Sequence, residues 1–504
     1  MDQSTASPAS SRRRQKLRIK WSTKYEIDYG IHSYAGPGSG PSSGIGNSPS
    51  PPFKTDNALV LYSPQEESSK LLTHYFASAC QVLSSFDSPN NPYRSDLLEF
   101  IRNSPIVFNS ALSASAAHLS QQERDTSLIP LTFQTEAISH ISRELAEMNR
   151  LTPLPTLTAP TIKDDLMLGI TLIGMTSSWH DPSSLGLCHF HGARKVFRIW
   201  MSQFNLMDLQ FPSHRVQRLI VSSMVYWEVM TSCLIDQEVS ALSYLDVFSV
   251  LPSSTFCYPC PWTGVGTNIL ISVAKCMALV RQKRRLISYN YSGEDDIDIS
   301  SRTLDLLSQA FTLSLDIDHC QIPTPATVQS TGDFRTPSDH LCKIAKCYRL
   351  VARLELDRAF PELTQCLQDD QNQDTKLSHH ILELSVKILD IMNTIPEDSR
   401  IIAIQTIILL AAGSALGSSS NTNPNIKVLV ADWRRFVLER LHRSFLSLKL
   451  QTINRAAAVL QRVWAQMDSV AMEGPNSTSY DRSPILRVHW IDVMTEAGLE
   501  TILG

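Results

Sequence analysis

Apolar residues recur every three or four positions along most of this chain, the spacing of α-helices that each bury one face. Leu71, Leu72, Tyr75, Phe76, Ala79, Val82 and Leu83 form the first such run. Just ahead of it, Ser63-Pro64-Gln65-Glu66 supplies an N-cap serine, a proline at the first helical position and a glutamate placed for a capping box. Phe133, Ala137, Ile141, Leu145 and Met148 mark another helix, and Leu350, Leu354 and Leu356 belong to one that must end before Pro361. Leu450, Ile453, Ala457, Leu460, Trp464 and Met467 make a heptad stripe too short for a coiled coil, which predicts packing within the domain. Period-2 alternation over strand lengths is scarce, and no fixed-period repeat marks a solenoid. The pattern predicts an all-α, multi-helical fold, an irregular two-lobed array over residues 57–504.

The breaks in the pattern divide the chain. Between Ile31 and Pro52, 16 of 22 residues are Gly, Ser or Pro, a composition that buries too little apolar surface to offset the entropy of ordering. Residues 1–56 are therefore expected to be a disordered basic arm and linker ahead of the helical region. Pro153 to Pro160 and Cys257 to Pro261 punctuate the helices, and Gln321 to Pro337, Gln368 to Asp374 and Ser418 to Pro424 read as loops. The small residues of Ser110 to Ala117 allow a helix to approach its neighbours closely. Ile401 to Gly417 is apolar but short for a membrane crossing and contains Gln405 and Thr406, so it predicts a buried helix and no membrane partner.

Charge sharpens the division. The 504 residues hold 45 Lys and Arg against 49 Asp and Glu, a net charge of -4. Residues 1–24 carry seven of the cations and one acid, net +6, which leaves 38 against 48, net -10, for the rest. The ten cysteines are scattered, with none before Cys80, which excludes a secreted disulfide framework. Met1 to Ser11 is polar and runs into Arg12-Arg13-Arg14, unlike a signal peptide. A reducing compartment, cytoplasm or nucleus, is expected, with the sequons at Asn290 and Asn476 carrying no sugar.

Candidate chemistry is sparse. Cys257-Tyr-Pro-Cys260 has the spacing of a zinc or dithiol pair, but no second such pair or spaced histidine pair lies nearby in sequence. His189 and His191 would share a face on a strand, whereas on a helix they diverge by about 200 degrees. There is no HExxH, GxSxG or phosphate loop. These observations predict no enzyme and no cofactor in this chain; an enzyme using Cys257, Cys260, His189 and His191 around a metal is the disfavoured option. Arg281-Gln-Lys-Arg-Arg285 closes a helix, where cations complement the helix dipole. The strongest compositional signal is Arg12, Arg13, Arg14, Lys16, Arg18 and Lys20, six cations in nine residues, suited to nuclear import or to phosphate contact. Such an arm positions a protein on DNA without reading bases.

Several stretches together resemble the fungal-specific transcription factor domain that lies C-terminal to a six-cysteine binuclear zinc cluster. Leu71 to Pro92 (LLTHYFASACQVLSSFDSPNNP) is similar to that domain's opening helix and Phe-Asp-Ser-Pro turn, and Ser110 to Leu119 to its next helix. His189 to Val196 (HFHGARKV), Tyr226-Trp227-Glu228 and Pro261-Trp262-Thr263-Gly264 resemble further landmarks in order. Tyr348 to Pro361, Ile408 to Ala415, Asn454 to Trp464 and His489 to Met494 continue the likeness to about residue 500. The resemblance implies a helical regulatory domain of a nuclear transcriptional regulator, with transcription machinery or co-regulator proteins as partners, a homodimer as a compatible state, and no catalytic residues.

The zinc cluster of such proteins needs six cysteines, and none precedes Cys80 here. DNA contact is therefore expected to be weak, or to depend on a cluster missing from this chain. The alternative expectation is a small-molecule or protein interaction scaffold that does not bind DNA.

Overall fold

The computed structural model describes residues 64–122, 129–151, 161–249, 257–290, 296–364, 373–417, 423–472 and 483–503. The basic arm and linker, the Pro153 to Pro160 stretch and most of the loops at 368–374 and 418–424 lie outside the described residues. Among those described, the fold is all-α, as the spacing predicts; the only extended pairings are the isolated bridges Cys257 with Val328 and Cys260 with Gly264.

The first helix, α1 (Pro64–His74), runs through a wider turn at Tyr75–Ala79 into Cys80–Val82. Its buried residues Leu71, Tyr75, Ala79 and Leu83 are spaced by four. An α-helix at 3.6 residues per turn would rotate such a series off the core, and the π turn cancels the drift. Next come α2 (Leu97–Asn103), α3 (Pro105–Gln122) and α4 (Ile129–Leu151). The stretch Ser110 to His118 of α3 is buried throughout, with α1, α2, α4 and α5 (Asp164–Met175) packed around it. Its small side chains permit that crowding, and its hydroxyls stay satisfied: Ser110 Oγ donates to Ile106 O at 2.7 Å and Ser115 Oγ to Leu71 O at 2.7 Å.

Two further helices, α6 (Leu187–Met201) and α7 (Arg215–Leu234), cover α5. Residues 166–175 of α5 are all buried, and Gly174 lies against the Trp227 indole of α7. A methyl at position 174 would fall inside that ring. Gly174→Ala should accordingly cost about 1–3 kcal/mol by overpacking, read as a lower urea midpoint; an unchanged midpoint would show that the indole can move aside.

The centre of the molecule is α8 (Thr267–Asn290), which touches α7, the 3-10 run Val239–Phe248, α9 (Asp296–His319) and α10 (Ser338–Ala359). Through α10 the packing continues to α11 (Gln373–Asn393) and α12 (Thr406–Ser414), then to α13 (Pro424–Leu448), α14 (Gln451–Met472) and α15 (Trp490–Glu496). As predicted, α10 ends at Ala359, ahead of Pro361. Every residue from Ile401 to Gly417 is buried in protein, and Gln405 Nε2 donates to Ser444 Oγ at 2.6 Å. No described helix is long and apolar enough to cross a membrane. The heptad stripe of α14 faces the core through Ile453, Leu460, Trp464 and Met467.

The last third of the chain returns to the first. Leu448 O bonds to His118 Nε2 at 3.0 Å, Gln451 N donates to Gln121 Oε1 at 2.9 Å, and Tyr226 donates to Leu503 O at 2.7 Å. One hydrophobic core thus runs from Tyr75 to Leu503.

Candidate functional site

Three buried polar nodes join segments that are far apart in sequence, and a cavity lies beside the first. At this node, Asn91 caps the short helix Pro92–Ser95 by accepting from Tyr93 N at 3.0 Å, and its Nδ2 donates to Cys80 O at 3.1 Å. Asp87 receives two bonds from Arg94, at 2.7 and 2.8 Å, and its own N–H donates to Asp333 at 2.8 Å. The Tyr93 hydroxyl accepts from Trp262 Nε1 at 2.8 Å, and Trp262 packs on Tyr226 with ring centroids 5.0 Å apart. Gly264 has φ +57, a conformation glycine adopts without strain, and this lets Cys260 and Gly264 exchange backbone bonds of 2.8 and 2.9 Å around the Trp262 turn. The Phe-Asp-Ser-Pro turn, the Tyr-Trp-Glu segment and the Pro-Trp-Thr-Gly turn therefore meet at one place.

The second node holds a buried ion pair between α6 and α7. Arg194 donates to both oxygens of Glu228, at 2.7 and 2.6 Å, and to Gln237 Oε1 at 2.7 Å; Tyr244 adds a short hydrogen bond to Glu228. Glu228 is 0% exposed, and Arg194 lies over the Phe190 ring at 4.7 Å. Burial pushes the Glu228 carboxyl up, against the pull of Arg194 and its hydrogen bonds. The bidentate geometry holds two family-like landmarks, His-Gly-Ala-Arg and Tyr-Trp-Glu, in one register.

In the third node, Glu355 of α10 accepts from His489 Nε2 and from Trp490 Nε1, both at 2.8 Å. His489 Nδ1 accepts from Ile491 N at 3.2 Å, so this ring is neutral with its proton on Nε2. Burial holds His489 down at about 4; at Glu355 burial pushes the carboxyl up, but His489, Arg358 and the Trp490 hydrogen bond together outweigh it and lower the carboxyl. Arg358, also buried, spends its guanidinium on Ile485 O and Ser414 Oγ at 2.9 Å and on Val488 O at 2.5 Å.

The cavity has a volume of about 880 Å³ and lies between α7, α8, the Val239–Phe248 run, the Cys257 to Gly264 turn and the end of α9. Val221, Phe248, Tyr258 and Ile271 are among its walls, and its charges balance: Arg218 and Lys275 against Asp246 and Asp316. Lys275 pairs with Asp246 at 2.6 Å, and Arg218 stacks on Tyr258 at 4.4 Å while donating to Leu209 O at 2.9 Å. Size and lining suit a small molecule with an apolar body.

The sequence candidates fall in different places. Cys257 and Cys260 face this cavity; burial pushes the Cys257 thiol up to about 12 and raises that of Cys260, so both are thiols rather than reactive thiolates. His189 and His191 lie on α6, where His191 is exposed and burial lowers His189 to about 4. Among the described residues, no group of three or more His, Cys, Asp or Glu side chains gathers to hold a metal ion. Arg281 and Arg285 both pair with Asp236, Arg284 with Asp492, and Lys283 sits over Phe360 at 5.6 Å, so this basic run is engaged within the fold. Arg12, Arg13, Arg14, Lys16, Arg18 and Lys20 lie outside the described residues. Sequence reading did not find Arg194, Glu228, Glu355 or Arg358 as a set, because no local spacing links residues on separate helices.

Nothing among curated proteins or solved structures matches the chain. Residues 70–504 match the fungal specific transcription factor domain. That span takes in α2 to α15 and the last five residues of α1, with all three nodes and the cavity. The chain belongs to the fungal specific transcription factor domain family.

Proposed function

We propose that this chain is a nuclear regulator of fungal transcription whose helical domain carries the control. The observation that supports this most is the family match over 70–504, which includes every residue of the three nodes. The family supports a role in transcriptional regulation rather than catalysis, and the nuclear site of action follows from that role together with the six cations between Arg12 and Lys20. Transcription machinery or co-regulator proteins are the partners of this reading, and a homodimer is compatible with it. DNA is contacted weakly through phosphates by the arm, or specifically through a six-cysteine zinc cluster, which the region before Cys80 lacks the thiols to form.

The deciding experiment compares transcriptomes of a deletion strain and its parent. Coordinated change in a defined gene set is expected; an unchanged transcriptome selects instead the interaction scaffold, which the 880 Å³ cavity favours. A separate prediction concerns the arm. Changing all six cations from Arg12 to Lys20 to alanine should lower the nuclear-to-cytoplasmic ratio of a fluorescent fusion several-fold, and an unaltered ratio removes the import role.

A further inference from the structure

The outer face of α9 is apolar and is not covered by any other described residue. Leu304, Phe311 and Leu315 are 68%, 57% and 45% exposed. Their spacing of seven and four places them on one line of the helix, roughly 16 Å long at 1.5 Å per residue. Among the exposed large apolar residues of the described fold, these three share a helix face without interruption by a buried position. The same helix carries five aspartates, Asp296, Asp298, Asp305, Asp316 and Asp318, against one arginine, Arg302. Arg353 of α10 meets Asp318 at 3.3 Å; Asp305 receives a bond from Gln309, and Asp316 lies at the mouth of the cavity.

We propose that this face is the docking site of the chain's own basic arm, residues 12–21. Lys16-Leu17-Arg18-Ile19-Lys20-Trp21 alternates cation and apolar residue. Laid extended along α9, it sets Leu17, Ile19 and Trp21 on one side, about 13 Å from first to last at 3.3 Å per residue. That is about one residue shorter than the line from Leu304 to Leu315 and offers the same number of anchors. The alternation turns Lys16, Arg18 and Lys20 to the opposite side, so their contribution is the longer-range attraction between the +6 of residues 1–24 and the net -10 of the rest.

Reach is sufficient. Between Trp21 and Pro64 stand 42 residues, and a Gly/Ser-rich chain of that length has a root-mean-square span of about 36 Å. A domain of this size has a radius of gyration near 22 Å, so the tether spans distances comparable with the domain itself and raises the arm's local concentration at its surface. A second copy is the rival occupant, but pairing two α9 faces would bring Asp305, Asp316 and Asp318 against their own kind. Docking in cis would screen the arm from import receptors and from phosphates until a competitor displaces it. This goes beyond the function proposed above and does not depend on which genes are regulated.

The test is limited trypsin digestion of the full chain, following cleavage within residues 12–20 by mass spectrometry. Cleavage should be about tenfold slower than in the triple variant Leu304→Ser/Phe311→Ser/Leu315→Ser, as expected when a tethered site is lost. Protection should also weaken in 0.5 M salt and in Asp305→Asn/Asp316→Asn, a milder change that guards against misfolding of the triple variant. Equal rates in wild type and in both variants overturn the proposal. So does protection that rises with protein concentration alongside a doubled mass in sedimentation, because that places a second copy on the face. A freed arm should also raise nuclear accumulation of the triple variant, a readout separate from the cleavage rate.

Discussion

Arg194→Ala should lower the stability of the protein by about 3–5 kcal/mol, the range for removing one partner of a buried ion pair. Glu228 is fully buried and takes two hydrogen bonds from Arg194, at 2.7 and 2.6 Å. Without the guanidinium it keeps only the neutral partners Tyr244 and Gln237 and must lose its charge or carry it in a low-dielectric interior. The same substitution takes the Arg194 donor from Gln237 Oε1, while Gln237 Nε2 stays on Ser232, and removes the cation lying over Phe190. The measurement is the shift of the urea midpoint at constant m-value. Arg194→Leu/Glu228→Leu serves as control: with both charges gone the penalty should shrink by more than half, since it comes from the uncompensated carboxylate. A loss below about 1 kcal/mol in the single variant, the ordinary worth of an exposed pair, would show that water reaches Glu228.

Acidification from pH 7 to pH 5 should destabilise the protein by roughly 7 kcal/mol through four histidines, about 2 kcal/mol each. Burial lowers His118, His180, His189 and His489 to about 4 from an ordinary 6.5. A histidine whose folded pKa is depressed takes up its proton more readily when unfolded. Its stabilising contribution is therefore complete above pH 6.5 and is lost as pH falls toward 4. Geometry gives the reason at three of these sites. His118 Nε2 bonds to Leu448 O at 3.0 Å with His74 against its other nitrogen, and the buried Nδ1 of His180 has no acceptor. His489 Nδ1 is occupied by the Ile491 N–H. Glu355, with its lowered pKa, adds loss in the same direction below pH 4.5; Glu228, raised by burial, acts oppositely, and does so above pH 4.5. The thermal midpoint followed from pH 7 to pH 5 checks this, and His489→Gln should flatten the slope by about a quarter. A midpoint constant over that window would mean these rings are hydrated in solution.

Helix positions were readable because helix formation is local: the residues that repeat at three and four positions are those that turn to one side. Pro361 likewise acts on its own neighbours, so the end of α10 at Ala359 could be foreseen. The family likeness was legible for a related reason, since its landmarks are short stretches that keep their order. The wider turn at Tyr75–Ala79 was not foreseen, although the four-residue spacing of Leu71, Tyr75, Ala79 and Leu83 contains its cause. Cys257-Tyr-Pro-Cys260 drew attention by spacing alone, yet its surroundings make it part of a cavity wall.

The division follows from the range of the forces involved. Periodicity and composition established the helical class, the buried course of Ile401 to Gly417 and the contrast between a basic arm and an acidic body. All of these depend on neighbouring residues or on sums over them. The pairing of Arg194 with Glu228 across 34 residues, and of Glu355 with His489 across 134, was decided only by tertiary packing. Charges that lie far apart in sequence become partners when helices bury them together, and no spacing rule records that. The line of Leu304, Phe311 and Leu315 belongs to the same class, because an amphipathic pattern shows that a face is apolar while only the packed fold shows that no other described element covers it.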